Sequence, residues 1–347
     1  MNKPTTFKGR CMRGAAQFAN AGPWRRAAEK LTCAIGHKFP TSATVLSFCR
    51  HLAAVIVERE GSRFERVAVF ESGGKMSCSG QDNVGLYCTN FYFVGTIMGQ
   101  HNDERPVVRL LHRAIKDGNV FFDIGANIGF YSFYLGPLCG VSGAVHAFEA
   151  NPILIPHLRR SVELNKGNSN IIVNEVAVGR EAGKTMELYD PDRIGGSSLF
   201  KLAWLDTART VRVPVTTIDE YTKRNNIRRV DVVKIDIEGS ELDAFRGMEE
   251  SLKVCRPWLI VCELASLVGS DSHSEDSKSG GSLTSHPRRI ADFLASKGYE
   301  PRYISEKDGR LSDIVDSKVL AQLSQVLLNV AFVLPNLRET RPDLFSV

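Results

Sequence analysis

The sequence predicts a doubly wound α/β fold built around a mainly parallel sheet. From residue 119 onwards, short apolar runs of strand character alternate with segments whose apolar residues recur at helical spacing. Such alternation is typical of βαβ units, whose strands pair in parallel. Because ligands of these sheets bind beyond the carboxyl ends of the strands, we expect the functional residues to follow the strands directly.

The N-terminal part of the chain is predicted to be less regular. Residues 1–42 form a basic tail without sustained periodicity, and residues 43–103 form a helix and a cap segment. Within this second region the apolar pattern predicts a helix over 43–58 and a short strand over 67–70. The glycine-rich, aromatic stretch 72–100 predicts an irregular cap.

The main domain is predicted over residues 104–335, with a flexible insertion at 266–287 and a C-terminal tail at 336–347. Strands are predicted over 119–124, 143–148, 171–176, 184–189, 210–215, 231–235, 258–262, 299–304 and 327–334. The fourth and fifth of these read as an extra hairpin. Helices are predicted at Pro106, from about Ile128, from Pro152, after a capping box at Thr217 and Glu220, after Gly239, and over 287–297.

Composition excludes several classes of protein. The 347 residues are 43% hydrophobic and 24% charged, which is close to globular averages and excludes a mostly disordered chain or a fibre. No run of 18 apolar residues exists, so we expect a soluble chain without a membrane span. The eight cysteines form no Cys-x-x-Cys and no zinc spacing, which favours reduced thiols and a cytoplasmic location.

The net charge of +5 originates in the N-terminal segment. Residues 1–57 hold nine Lys and Arg residues against one acid, Glu29, so the rest of the chain is slightly acidic. The segment lacks the apolar region and cleavage site of a secretory signal. Its Arg-rich, acid-poor composition suits a solvated basic tail, and organellar targeting stays open.

The first chemical motif lies where the first strand of the main domain ends. The sequence Phe-Asp-Ile-Gly-Ala-Asn-Ile-Gly-Phe at 122–130 follows a strand and opens a helix. Gly125 permits a tight turn, and Gly129 allows close approach of the helix. The motif departs from the Gly-x-Gly-x-x-Gly fingerprint of dinucleotide sites, and the Asp123 carboxylate would oppose a phosphate and favour a cation. A nicotinamide-dependent oxidoreductase is therefore disfavoured.

Two further motifs follow later strands. Glu149 ends the second strand, where an acid is placed to hold both ribose hydroxyls of a nucleoside. The sequence Lys-Ile-Asp-Ile-Glu-Gly-Ser-Glu at 234–241 ends the strand predicted over 231–235, and strand alternation places Asp236 and Glu238 on one side. Close carboxylates repel, which raises at least one pKa and creates a candidate base. Glu241 either takes part in this cluster or only favours the next helix through its dipole.

Four side chains are candidates for a general base: Asp236, Glu238, Glu263 and His101. Glu263 ends the strand predicted over 258–262 and suits the site topology, whereas a lone histidine is more often a packing or surface residue. Asp236 and Glu238 could instead hold a divalent metal. No third ligand is evident, so no metal is expected.

Together these motifs resemble the FkbM family of S-adenosylmethionine-dependent methyltransferases. The similar segments, in matching order and spacing, lie at 123–129, 148–152, 174–178, 195–199 (Gly-Gly-Ser-Ser-Leu), 217–219 and 234–241. The resemblance covers about half the chain, from residue 104 to 265. It does not extend to residues 1–80 or to the insertion.

The resemblance implies the seven-stranded class I methyltransferase sheet, with the last strand antiparallel, and S-adenosylmethionine as the cofactor. It implies that the cofactor is held by Asp123, Gly125, Asn127, Gly129, Glu149, Val176, Ala177 and Asp236. It also implies a lid on the substrate side that contains Gly196, Ser197 and Ser198.

The expected reaction is O-methylation. Enzymes that methylate base nitrogens usually carry Asn/Asp-Pro-Pro-Tyr/Phe after the strand that corresponds to 231–235. The Asp-Ile-Glu-Gly found here at 236–239 favours oxygen as the methyl acceptor. Since FkbM members are mostly linked to hydroxyls of sugars, glycans and polyketide-like products, a saccharide or another hydroxylated small molecule is the expected substrate. The alternative is an RNA-binding or RNA-modifying protein that uses residues 1–57, but no RRM, KH or zinc signature supports nucleic acid. The sequence gives no indication of oligomeric state.

Overall fold

The structure, a computed structural model, describes residues 65–70, 72–79, 105–189, 197–199, 209–264, 286–313 and 328–346. The predicted basic tail, the helix at 43–58 and the insertion up to residue 285 lie outside these ranges. Among the described residues, no helix has the length and apolar character that a bilayer crossing requires.

The described elements alternate as the apolar pattern predicts. The strands are β1 Glu65–Val69, β2 Lys75–Ser79, β3 Val120–Ile124, β4 Ala144–Phe148, β5 Ile171–Asn174, β6 Ala177–Val178, β7 Thr185–Tyr189, β8 Thr210–Thr216, β9 Val232–Ile235, β10 Leu259–Leu264, β11 Glu300–Ile304, β12 Leu311–Asp313 and β13 Leu328–Val333. The helices are α1 Arg105–Ala114, α2 Phe130–Cys139, α3 Ile155–Leu164, α4 Ile218–Arg224, α5 Glu241–Arg246, α6 Glu249–Val254, α7 His286–Ser296 and α8 Leu337–Thr340, followed by a 3₁₀ turn at Pro342–Leu344.

The main sheet has the order β12-β11-β13-β10-β9-β3-β4-β5. Strands β5, β4, β3, β9 and β10 pair in parallel, whereas β13 runs antiparallel between β10 and β11. The antiparallel last strand was predicted, but the count of seven was wrong. Among the described residues the sheet has eight strands, because the three-residue β12 pairs antiparallel with β11 and extends the edge.

Helices cover both faces of this sheet. Strand alternation sends Phe121 to one core and Phe122 to the other. Residues of α1, α2 and α3 pack in the first core, and residues of α4, α5, α6 and α7 pack in the second. The chain is therefore doubly wound, as the sequence predicts, and the carboxyl ends of β3, β4 and β9 meet at one edge.

Two hairpins flank the main sheet. Strands β7 and β8 pair antiparallel, as the sequence predicts, and β6 joins β8 in a small three-stranded sheet. Strand β2 was not predicted, since residues 72–100 read as irregular, yet it pairs antiparallel with β1. The β2 backbone is fixed by α3: the N–H of Lys75 donates to Asn165 Oδ1 at 2.9 Å, and that of Ser77 donates to Ser161 Oγ at 2.9 Å.

Helix α3 begins three residues after the predicted start at Pro152. The N–H of Ile153 donates to the side-chain oxygen of Asn151 at 3.0 Å. Such a side-chain turn competes with helix formation, so regular helix starts at Ile155.

Candidate functional site

The turn after β3 forms the floor of the candidate site. Gly125 has φ of +82°, and a Cβ at this position would lie 1.8 Å from the Asp236 carbonyl oxygen. Only glycine fits a backbone approach this close. The N–H groups of Gly125 and Ala126 both donate to the Phe148 carbonyl, at 3.0 and 2.9 Å. The ends of β3, β4 and β9 are thereby drawn together.

Glu149 lies immediately beyond β4 and faces this turn. Its Oε2 accepts a hydrogen bond from the N–H of Asn127 at 2.7 Å, and its Oε1 accepts one from the N–H of Asn151 at 2.7 Å. The residue is 8% exposed. Burial raises the pKa of Glu149 to about 7, although the backbone hydrogen bonds oppose this shift.

Asp123 lies beneath the site rather than in its wall. It is 1% exposed, and its Oδ2 accepts a hydrogen bond from Ser132 Oγ at 2.6 Å. Burial raises the pKa of Asp123, against the opposing effect of the Lys234 ammonium and the Ser132 hydroxyl. The carboxylate that the sequence directed at the turn therefore supports the floor from below.

A buried ion pair follows the end of β9. Lys234 Nζ donates to Asp236 Oδ2 at 2.7 Å, and the side chains are 4% and 23% exposed. The ammonium also lies 4.8 Å from the centre of the Tyr131 ring. Burial alone would raise the pKa of Asp236, but the Lys234 ammonium and a hydrogen bond from the Glu263 carboxyl group in its protonated form hold that pKa below its usual value. Asp236 therefore favours its ionised form.

The turn after Asp236 is held from behind by Glu241. Glu238 has φ of +51°, which is uncommon for a residue with a side chain. Glu241 is 1% exposed, and its Oε1 accepts hydrogen bonds from the N–H groups of Ile237 and Gly239, both at 3.1 Å.

The segment 197–199 closes the site from the other side. Ser198 Oγ donates to the Glu238 carbonyl at 2.8 Å. The Ser198 backbone forms an isolated antiparallel bridge with Tyr189 at the end of β7. Gly196, the first of the three predicted lid residues, lies outside the described residues.

These elements line a pocket that is partly open to solvent. Eight of the predicted site residues line it: Gly125, Asn127, Glu149, Val176, Ala177, Ser197, Asp236 and Glu238. Ser197 of the predicted lid thus shares this pocket with six of the predicted cofactor residues.

Four predicted site residues are not in the pocket lining: Asp123, Gly129, Ser198 and Glu263. Gly129 serves packing, since a Cβ there would lie 2.2 Å from the Phe133 ring. Glu263 is connected to the site through its hydrogen bond with Asp236.

Sequence reasoning missed the apolar wall of the pocket. Leu154 and Leu188 line it, together with Ile237 and Leu199. The signal that could have found Leu188 is its inward position on the predicted hairpin strand, but an apolar residue there is indistinguishable from a core residue.

His101 and a divalent metal are the remaining candidates that the sequence offered. His101 lies outside the described residues. Among the residues that the structure describes, no group of three His, Cys, Asp or Glu side chains has the arrangement of a metal site.

The sheet order, the reversed strand β13 and the pocket at the carboxyl ends of the parallel strands are those of a class I methyltransferase. The chain belongs to the FkbM methyltransferase family, since the methyltransferase FkbM domain matches residues 123–301, just over half of its length. S-adenosylmethionine is the cofactor of this family.

Curated relatives match at low identity. The hexuronic acid methyltransferase AglP of Haloferax volcanii is 26% identical over 150 residues, which is 43% of this chain and 58% of AglP. The 31-O-demethyl-FK506 methyltransferase FkbM of Streptomyces tacrolimicus is 25% identical over 164 residues, 40% of this chain and 62% of that protein. The chain thus spans about 60% of the length of these relatives.

A solved structure of a methyltransferase FkbM from Methylobacillus flagellatus has a TM-score of 0.41 to this chain and is 15% identical. The alignment covers 73% of this chain and 55% of that one.

The pocket fits S-adenosylmethionine in three respects. The buried side-chain oxygen of Asn127 has no hydrogen-bond partner among the described residues, so it can accept from a ligand. Each Glu149 oxygen has a second lone pair for a hydroxyl donor. The apolar residues Leu154, Val176 and Leu188 offer a surface for a planar base.

Proposed function

We propose that this chain methylates a hydroxyl group of a saccharide or of another hydroxylated small molecule, with S-adenosylmethionine as the methyl donor. The observation that supports this best is the ionised Asp236 carboxylate, which lines the pocket and pairs with Lys234. A hydroxyl must lose its proton as it attacks, and a carboxylate at the edge of the cofactor pocket is suited to accept that proton.

In this proposal, ligand binding and proton transfer are carried out by different residues of the pocket. When bound, S-adenosylmethionine supplies an electrophilic methyl group. Glu149 and Asn127 hold the polar part of the ligand, while the apolar wall excludes water. Because direct displacement of a methyl group depends on alignment, we expect positioning to dominate the rate.

Among the three candidate bases that the structure describes, Asp236 suits proton removal best. The pKa of Asp236 is lowered by Lys234 and Glu263, not raised as the clustered carboxylates predict. Asp236 is therefore ionised and able to accept a proton near neutral pH, although the low pKa makes it a weak base. Glu263 contacts Asp236 but does not line the pocket, and Glu238 lines it.

The names of the relatives support an oxygen acceptor without defining it. AglP is named for a hexuronic acid, and the Streptomyces protein is named for 31-O-demethyl-FK506. A hexuronic acid offers both hydroxyls and a carboxylate, so the acceptor screen must distinguish an ether product from an ester.

The first test is calorimetric titration of the full chain with S-adenosylhomocysteine, with NAD as the control ligand. We expect binding of S-adenosylhomocysteine alone. Transfer of tritiated methyl from S-adenosylmethionine to hexuronic acids, neutral sugars and hydroxylated polyketides then identifies the acceptor. Label released as methanol by mild base indicates an ester and would contradict O-methylation of a hydroxyl, whereas base-stable label supports it.

A further inference from the structure

Glu241 is a buried carboxylate next to the pocket wall. It forms hydrogen bonds that a favourable interaction with the dipole of the next helix would not need. Glu241 Oε1 accepts the N–H groups of Ile237 and Gly239, which flank Glu238 in the chain. Glu241 Oε2 lies 3.3 Å from Nε2 of His286, the first residue of α7. One carboxylate therefore connects the turn after β9 with a separate helix.

Glu238, which lies between Ile237 and Gly239 in the chain, has an unfavourable backbone conformation. Glu238 has φ of +51°, a region that side chains disfavour and that persists only where neighbouring contacts impose it. Its carbonyl accepts the Ser198 hydroxyl at 2.8 Å. Glu241 on one side and Ser198 on the other thus hold the peptide units around Glu238.

This turn also forms one wall of the pocket. Asp236, Ile237 and Glu238 all line it, and the Asp236 carbonyl is the atom against which Gly125 packs. A change in the turn would therefore move the wall and the candidate base together.

We propose that Glu241 is a positioning residue for the cofactor pocket, because its carboxylate holds residues 237–239 in the conformation that shapes the wall. The inference rests on the proposed function, in which this pocket receives S-adenosylmethionine. Glu241→Ala would leave the part-buried N–H of Ile237 and the buried N–H of Gly239 without an acceptor, and the turn would relax to satisfy them.

Asp219 offers a matched control. Its Oδ1 accepts the N–H of Ser251 at 2.7 Å and its Oδ2 accepts that of Glu250 at 3.0 Å, at the start of α6. Asp219 is therefore also a carboxylate that holds two backbone N–H groups, and it is not among the residues that line the pocket.

The test compares the full-length wild type with Glu241→Ala, Glu241→Gln and Asp219→Ala. Calorimetry gives the Kd for S-adenosylhomocysteine, and thermal unfolding gives Tm. We expect both alanine variants to lower Tm, but only Glu241→Ala to raise Kd, by about tenfold. Glu241→Gln keeps an oxygen that can accept both N–H groups, so its Kd should stay within about threefold of wild type.

Each outcome has a defined meaning. If Glu241→Ala lowers Tm while binding S-adenosylhomocysteine as tightly as the wild type, Glu241 is only structural and the inference fails. It also fails if Asp219→Ala raises Kd equally or if Glu241→Gln does not rescue binding. A wild type that does not bind S-adenosylhomocysteine overturns the proposed function as well.

Should Glu241→Ala not fold, Ser198→Ala carries the test, since it removes the contact on the other side of Glu238. We expect it to raise Kd by about threefold to tenfold. An unchanged Kd would overturn the inference.

Discussion

We expect Glu149 to make ligand binding in the pocket depend on pH. Its two oxygens already accept the backbone N–H groups of Asn127 and Asn151, and burial still raises its pKa to about 7. Near neutral pH the ligand-free protein therefore contains both the protonated and the ionised form. A ligand whose hydroxyls donate to Glu149 prefers the ionised form.

We expect the affinity for S-adenosylhomocysteine to increase as pH rises towards 7. Below pH 7 part of the binding free energy is spent on removing the Glu149 proton, so Kd should fall by up to about tenfold per pH unit and level off above pH 7. Calorimetry from pH 5.5 to 8.5 measures this, and Glu149→Gln should bind weakly with a flatter profile. A wild-type Kd that is constant from pH 5.5 to 7 would contradict the role of Glu149.

The role of Asp236 predicts a split between turnover and binding. Asp236→Asn keeps an oxygen that can accept from Lys234 but cannot take up a proton, so kcat should fall by about 10²-fold or more. The Kd for S-adenosylhomocysteine should change by less than about threefold. Initial rates with the acceptor found in the screen, together with calorimetry, check this. Wild-type turnover in the variant would exclude Asp236 as the base.

At the scale of elements, predictability followed the strength of the local pattern. Buried strands such as β3 and β9 read directly from their apolar runs. Strand β12 consists of Leu-Ser-Asp, which is too short and too polar to show a period, and its pairing with β11 depends on a contact that sequence does not reveal. Likewise, β2 depends on partners in α3, some 84 to 90 residues away.

The polar part of the candidate site was predictable because its residues follow strands that have a strong local pattern. Gly125, Glu149 and Asp236 each follow a strand, so the topology alone brings them to one edge. Leu154 and Leu188 carry no chemical signal, and the burial of Asp123 beneath the floor depends on Ser132 in the next helix.

The N-cap of α4, one half of the predicted capping box, gives a test at the scale of one helix. Thr217 Oγ1 accepts the N–H of Glu220 at 3.0 Å, as the sequence predicts. Thr217→Ala should lower the free energy of unfolding by about 1 kcal/mol, while Thr217→Ser should retain most of it. Urea denaturation of the three proteins measures the difference. Equal losses in both variants would show that the methyl group, not the hydroxyl, is responsible.

For the molecule as a whole, two buried groups oppose each other in the response of stability to pH. His146 lies 9% exposed in the core, with Nδ1 2.8 Å from the Tyr221 hydroxyl, and burial lowers its pKa to about 4. The unfolded chain therefore binds the His146 proton more readily, so this contribution to stability is lost as pH falls from about 6.5 to 4. Glu149 acts in the other direction, because its raised pKa makes the folded state bind the proton more readily. Its contribution is present at low pH and is lost as pH rises through about 7.

Because these two contributions have opposite signs, removing either group should change how the free energy of unfolding depends on pH. As pH falls from 7 to 4, the wild type should lose roughly 3 kcal/mol of unfolding free energy relative to His146→Gln. The difference between wild type and Glu149→Ala should change by a comparable amount with the opposite sign. Urea denaturation of the ligand-free proteins across this range measures both, and taking differences from wild type removes the contributions of all other titrating groups. Parallel stability curves for wild type and His146→Gln would mean that His146 takes up its proton without unfolding, and the second core would then have to admit a charge.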